Sequence, residues 1–288
     1  LDCNEFSIFS DFAARHLPVG CSGHIIASAI DLTAQGTVAM MTDEQRFLFD
    51  LQGYLVIEGA LAGDQVKRMN DVMIEKGIQD PENDPNLSRF AGFLGWGDDW
   101  RTLIDHPDTM PVVRELCGAN FRLDHAYGMA AKAVKGSGAE YLHHHAGMFN
   151  HASFYVSHGN TMHNGLIVVS FALTDIAPGA GGFCCIPGSH KCIYPMPAEF
   201  GRTIESPLVK QIPQKAGDVV IFTEALTHGT KPWTDVKGER RSVLLKYCPA
   251  YMQWAQKPMN ADLPDITDRQ RTIMQGAHIG GRVGFETN

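Results

Sequence analysis

The chain contains no apolar run long enough to span a bilayer. It has no excess of positive charge either. Its 24 Lys and Arg are outnumbered by 32 Asp and Glu, and the net charge of −8 argues against nucleic acid or an anionic membrane as a partner. Seven cysteines occur, an odd number with Cys184 and Cys185 adjacent, but no C-x-x-C pair. Neither a disulfide framework nor a structural zinc site is therefore expected, and a reducing, cytoplasmic compartment is. The chain begins at Leu1 rather than Met, which leaves room for a removed leader. No G-x-G-x-x-G or G-K-[ST] loop follows a strand, so nucleotide-binding folds lose ground. Gly179-Ala180-Gly181-Gly182 precedes a strand and reads as a tight turn. Internal repeats and low-complexity linkers are absent.

What is present is an ordinary globular balance, 44% hydrophobic and 19% charged, over 288 residues. Residues 1–41 lack periodicity and read as an N-terminal extension, with 42–288 as a single domain. Thr42-Asp43-Glu44 caps a short helix carrying Phe47, Leu48 and Leu51 and ending near Gly53. Tyr54–Ile57 reads as a strand, and Ala62–Lys76 as a helix with Val66, Met69, Val72 and Met73 on its apolar side. Gln79–Asp99 reads as a loop whose Phe90, Phe93, Leu94 and Trp96 tether it to the core. Pro111–Cys117 reads as helical. Strands follow at Phe121–Met129, Leu166–Leu173, Gly182–Ile186, Asp218–Phe222 and Ser242–Tyr247. Asn150–Asn164, with His151, His158 and His163, is polar enough to read as a loop. Helices first and many short strands afterwards predict an α+β, mainly β chain, with helices packed on an antiparallel barrel or jelly roll.

Two stretches stand out chemically. Tyr141-Leu142-His143-His144-His145-Ala146-Gly147 places three of the thirteen histidines together; if extended, it sends His143 and His145 to one side and His144 to the other. Gly217–Tyr247 brings Glu224, His228, Thr230 and the pair Arg240-Arg241 between two strands. Imidazole with carboxylate suits a hard-to-borderline divalent ion, and a guanidinium fork suits a remote carboxylate. On an ideal strand Glu224 and His228 would lie about 13 Å apart, so joint ligation requires a bend between Ala225 and Thr227. Strand alternation sends one of the two arginines inward, where it needs an anion. Asp124 and His125 are a further pair on a strand, where one could face inward, and each reads as making a structural hydrogen bond.

The run Gly181-Gly182-Phe183-Cys184-Cys185-Ile186-Pro187-Gly188-Ser189-His190-Lys191 resembles the Gly-rich turn and P-G-S-H segment of the phytanoyl-CoA dioxygenase family. His228-Gly229-Thr230 followed by Arg240-Arg241 resembles that family's distal metal histidine and its arginine for 2-oxoglutarate. Gly53–Ile57 with Ala60-Leu61 is similar to its N-terminal strand and helix entry. The resemblance covers roughly residues 42–250. It implies a double-stranded β-helix, mononuclear iron(II), 2-oxoglutarate as co-substrate, and oxygen as oxidant.

One departure matters. The family's His-x-Asp is missing: His143 falls at the ligand position and His145 where the aspartate should be. Shifting the frame to His144-x-Ala146 or His145-x-Gly147 gives motifs resembling the carboxylate-free site of iron halogenases. The favoured ligand set is His143, Glu224 and His228, which supplies a carboxylate and leaves three positions open on one side. The resemblance then assigns the far carboxylate of 2-oxoglutarate to Arg240, helped by Thr230, and packs Phe171 on the co-substrate. His145, Asn164 and Trp233 are candidates for the pocket wall. The implied reaction oxidises an unactivated C–H bond of a small polar molecule, by hydroxylation or cyclisation, with release of succinate and carbon dioxide. The rival readings are a halogenase on the same scaffold and a non-catalytic jelly-roll protein that binds a metal or small acid.

Overall fold

The structure, a computed structural model, describes residues 40–78, 87–133, 141–143, 151–201 and 203–280, which fall within one compact unit, Val38–Asn288. His144 and His145 lie outside the described residues. Among the described residues, no helix is long and apolar enough to cross a membrane, and Cys117, Cys184, Cys185, Cys192 and Cys248 form no disulfide.

The first helix, α1 (Asp43–Gln52), starts at Thr42, whose side chain accepts from the Gln45 amide while the Gln45 side chain returns the bond. It stops at Gly53, which adopts φ 81° and hands the chain directly to β1 (Tyr54–Ile57). A side chain could not replace the glycine hydrogen, because a Cβ there would lie 2.6 Å from the His190 ring. The residue α1 buries is Phe49; Phe47 and Leu51 face solvent. α2 (Gly63–Glu75) buries Val66, Met69 and Met73 at the spacing of one helical face. β2 (Leu87–Phe90), α3 (Asp98–Arg101) and α4 (Met110–Cys117) precede the long β3 (Phe121–Ala131). Phe90, Phe93 and Trp96 form an aromatic cluster with Trp100, so the expected loop is tethered as its composition suggested and also contains a strand and a helical turn.

The segment read as a polar loop contains a hairpin instead, β4 (Tyr155–His158) and β5 (Thr161–Asn164). Its two-residue connection is Gly159-Asn160, with Gly159 at φ 58°. That dipeptide is a turn signal which the surrounding polarity masked. The remaining strands are β6 (Ile167–Ala172), β7 (Gly182–Cys185), β8 (Lys210–Gln211), β9 (Val219–Thr223), β10 (His228–Lys231) and β11 (Arg240–Pro249), followed by α5 (Asp268–Ile273).

All pairings are antiparallel. A six-stranded sheet has the order β1-β9-β6-β11-β3-β2, and a three-stranded sheet the order β10-β7-β8. The outer face of the large sheet carries Leu123, Val169, Phe171, Ile221, Val243 and Leu245 against the helices, in the main core. Its inner face meets the small sheet through Val168, Val220 and Phe222 against Phe183, Cys185 and Ile212. Both faces of the central strands are thus covered, which is why these strands read as nearly continuous apolar runs. Two facing antiparallel sheets with helices on one outer face make a jelly roll of the double-stranded β-helix type.

Candidate active site

Between the two sheets lies a cavity of about 450 Å³. Strand alternation decides what faces it. On β11 the inward residues are Arg240, Ser242, Leu244 and Lys246; on β3 they are His125, Tyr127 and Met129. β9 ends at Thr223, and the next residue, Glu224, also reaches the cavity.

The required bend is present. The Leu226 amide donates to the Thr223 carbonyl, closing a turn, and the chain leaves the large sheet to enter the small one as β10. Glu224 and His228 therefore do not sit on one strand or on one hairpin. They converge, with Glu224 Oε2 4.0 Å from His228 Nε2. The P-G-S-H run acquires a physical role here. Ser189 Oγ accepts the Thr227 amide at 2.8 Å, while the Ile186 amide donates to the Thr227 carbonyl at 2.9 Å, fixing the residue before His228. His190 Nε2 meets the Asp50 carbonyl at 3.2 Å and ties the same run to α1.

His143 joins from a distant part of the sequence. Its amide and carbonyl exchange bonds of 2.7 and 2.9 Å with His228, and the two rings lie 5.4 Å apart between centroids. His228 Nδ1 lies 2.7 Å from the Leu226 carbonyl, an acceptor only, so Nδ1 carries the hydrogen and Nε2 presents a lone pair. Burial holds the His228 imidazole down at about 4 against the opposing pull of Glu224, so the ring is neutral at pH 7. Glu224 Oε1 accepts from Lys246 Nζ at 2.6 Å, leaving Oε2 turned towards His228. Burial would lower the Lys246 ammonium, but Glu224 and Tyr127 together outweigh it, and the net shift is upward.

Arg240 is the most exposing test of what the cavity holds. The side chain is buried, and neither its Nε nor one of its terminal nitrogens has a hydrogen-bond partner. Burial depresses the guanidinium to about 10, yet it stays charged at pH 7. A buried cation with unused planar donors calls for a carboxylate, and Thr230 lines the same cavity. Arg241, by contrast, points to the other face, where Glu239 and Asn70 satisfy it.

The donor set fits a divalent ion with one adjustment. Among the described residues, no three His, Cys, Asp or Glu side chains already close on one point. Cis ligands about 2.1 Å from an octahedral ion sit about 3 Å apart, so Glu224 and His228 would need to approach by about 1 Å.

Three expected residues are elsewhere. Phe171 is fully buried on the outer face of β6, with its ring 5.8 Å from that of His106; Ser170 faces the cavity instead. Because β6 is apolar on both faces, hydrophobicity did not reveal which side was inward. Asn164 is buried in a separate concavity near Leu116. Trp233 packs with Ala131, Ala172 and Ile176, donates Nε1–H to the Gly238 carbonyl, and lines an outer concavity with Arg241. Conversely, Lys246 and Tyr127 line the cavity without having been singled out; the alternation that separates Arg240 from Arg241 also marks Lys246 as inward.

The phytanoyl-CoA dioxygenase description matches residues 49–241. No curated protein sequence matches the chain. Among solved structures, HygX from Streptomyces hygroscopicus, crystallised with nickel and 2-oxoglutarate, superposes with a TM-score of 0.66 at 23% identity, covering 83% of this chain and 97% of HygX. The epimerase SnoN, solved with Fe3+, alpha ketoglutarate and nogalamycin RO, gives 0.54 at 18% identity over 82% and 94% of the two chains. The carbocyclase SnoK from nogalamycin biosynthesis gives 0.52 at 20% over 73% and 85%. These likenesses establish the shared fold, and the match over residues 49–241 establishes more: the chain belongs to the phytanoyl-CoA dioxygenase family of 2-oxoglutarate-dependent oxygenases.

Proposed function

We propose that the protein is an iron(II)- and 2-oxoglutarate-dependent oxygenase that oxidises a C–H bond of a small polar molecule, with His143, Glu224 and His228 as the metal ligands. The observation that carries this reading is Arg240, a buried guanidinium with unused donors in the cavity that holds all three ligands. Two parallel N–H···O bonds from such a fork fix a carboxylate in position as well as in charge. Thr230 lines the same cavity with its hydroxyl.

When bound, iron(II) with 2-oxoglutarate supplies the oxidising chemistry, and the co-substrate leaves as succinate and carbon dioxide. The chain's own contribution is placement. His228 offers Nε2 because Leu226 fixes its tautomer. Lys246 occupies one oxygen of Glu224, so the carboxylate would hold a metal through the other oxygen alone. Phe183 and Phe222, stacked at 4.4 Å, form an apolar wall that excludes water beside His228.

HygX has been solved with hygromycin B and SnoN with nogalamycin RO. A small, polar, ring-containing substrate is in keeping with that company. One observation favours the halogenase alternative: Lys246 already satisfies one Glu224 oxygen, as it would if the carboxylate were structural. The test is succinate release from 2-oxoglutarate under air with iron(II), with and without chloride. The oxygenase reading predicts release that does not depend on chloride, whereas a halogenase would require the halide and add its mass to the product. No release from the purified protein would point to a non-catalytic binder.

A further inference from the structure

The metal and co-substrate leave one part of the cavity unexplained. Strand β3 carries a β-bulge opposite β11: Lys246 pairs with His125, but Tyr247 pairs with Leu123, so Asp124 has no partner across the ladder. Bulges of this kind re-aim a side chain beside a binding site. Here the extra residue is a carboxylate with no solvent exposure at all. Burial would raise it. Instead, donors from His125, the Trp254 and Ala255 amides and Arg122 bring it to about 2. Oδ1 accepts from Arg122 at 2.5 Å and from the Trp254 amide at 2.9 Å; Oδ2 accepts from the Ala255 amide at 2.9 Å and lies 2.7 Å from His125 Nδ1.

This network fixes two cavity residues from one point, His125 on β3 and Trp254 on the segment after β11. An ionised carboxylate only accepts, so His125 Nδ1 carries the hydrogen, and in the neutral ring Nε2 is the acceptor presented in the cavity wall. Trp254 is 56% exposed although it lines the cavity, so its side chain is open to a ligand. His125 stands across the ladder from Lys246, the residue that touches Glu224. Arg240 lies six residues further along β11, about 20 Å of extended strand. The subsite is therefore beside the metal ligands and remote from the co-substrate arginine.

Chemistry narrows what it takes. An imidazole acceptor repels a carboxylate or phosphate oxygen. Lys246 and Arg89, which lies over the Tyr127 ring at 5.5 Å, disfavour an ammonium group. A neutral hydroxyl remains, and an exposed indole suits the C–H face of a ring. We propose that His125 is a substrate-binding residue whose Nε2 accepts a hydroxyl of a polyhydroxylated ring, a sugar or cyclitol, stacked on Trp254, with Asp124 as the positioning residue for both. This deepens the proposed function and rests on the same cavity.

The test uses saturation-transfer NMR on the full, metal-free chain with four probes: methyl α-glucoside, myo-inositol, hexanoate and hexylamine. The parent protein should saturate the ring protons of one or both hydroxylated rings. His125→Ala and Trp254→Ala should each lower that signal about tenfold, the size expected for one lost hydrogen bond or one lost face. Asp124→Asn should lower it while His125 is still present, and the heteronuclear spectrum of nitrogen-labelled histidine should show a changed His125 tautomer, which a merely structural role would not produce. If Asp124→Asn fails to fold, His125→Ala and Trp254→Ala still decide the question. Saturation of hexanoate or hexylamine alone, no signal from either ring, or a ring signal unchanged in His125→Ala would overturn the proposal. Because the probes bind without metal, failure here is distinct from failure of iron(II) and 2-oxoglutarate binding.

Discussion

Replacing Arg240 with methionine separates the protein's stability from its co-substrate binding, because the two should move in opposite directions. The guanidinium is depressed from 12.5 to about 10 by burial, with no hydrogen-bond partner at two of its nitrogens. A base lowered in the folded state destabilises that state at every pH below its folded value, so at pH 7 the whole penalty applies. At about 1.4 kcal/mol per tenfold change, it amounts to about 3 kcal/mol. Methionine keeps most of the apolar stem, and imperfect repacking returns about 1 kcal/mol of the gain. The ligand-free variant should therefore be more stable by about 2 kcal/mol, a rise in Tm of about 4–8 °C for a domain of this size. The co-substrate loses two charge-assisted hydrogen bonds of about 1.5–3 kcal/mol each, which weakens its binding by a factor of about 10² to 10⁴. Thermal melts with and without 2-oxoglutarate read both effects. At a hundredfold excess over its Kd, the ligand should stabilise the parent by about 2.7 kcal/mol and the variant hardly at all. A variant that melts below the parent, yet is still stabilised by 2-oxoglutarate, would refute the reasoning, since Arg240 would then be satisfied within the protein.

Other perturbations follow from the same geometry. Lys246→Met leaves the buried Glu224 carboxylate without its 2.6 Å partner, and the metal-free protein should lose about 3 kcal/mol. Added cobalt(II) should then raise the Tm of the variant by more than that of the parent; an equal rise would place the ion away from Glu224. Burial lowers His190 to about 4 from 6.5, so its contribution to stability is complete above pH 6.5 and is lost as pH falls towards 4. Denaturant melts at pH 7 and pH 4 should show about 3 kcal/mol less pH dependence in His190→Asn than in the parent. Gly53→Ala introduces a Cβ 2.6 Å from the His190 ring at a φ of 81° and should cost at least about 2 kcal/mol by the same assay. A neutral result would mean that α1 and the P-G-S-H run are not locked together.

Much of this was legible from periodicity. Regular alternation along Arg240–Lys246 puts Arg240 and Lys246 on one face and Arg241 on the other, although the family resemblance rather than periodicity chose Arg240 as the inward one, and the 13 Å separation argument located the bend before His228. Alternation failed where both faces of a strand are covered. Phe171 and Ser170 differ by one position on β6, and apolar neighbours on both sides left the pleat's phase undetermined. The β4–β5 hairpin was hidden because its side chains are largely polar and exposed, leaving Gly159-Asn160 as the only cue. The Asp124 bulge has no local signature. It depends on pairing with β11, which lies more than a hundred residues away, and on amides from Trp254 and Ala255. Trp233 and Asn164, candidates for the pocket wall, line other concavities instead.

The central claim is that His143, Glu224 and His228 bind one iron(II) beside a 2-oxoglutarate held by Arg240. Its most direct test is an anaerobic titration of the purified protein with iron(II) and 2-oxoglutarate, followed by visible absorption and repeated with Glu224→Ala. The account predicts a charge-transfer band in the parent that disappears in the variant. A band of undiminished intensity in Glu224→Ala would contradict it and return the carboxylate to a structural role beside Lys246.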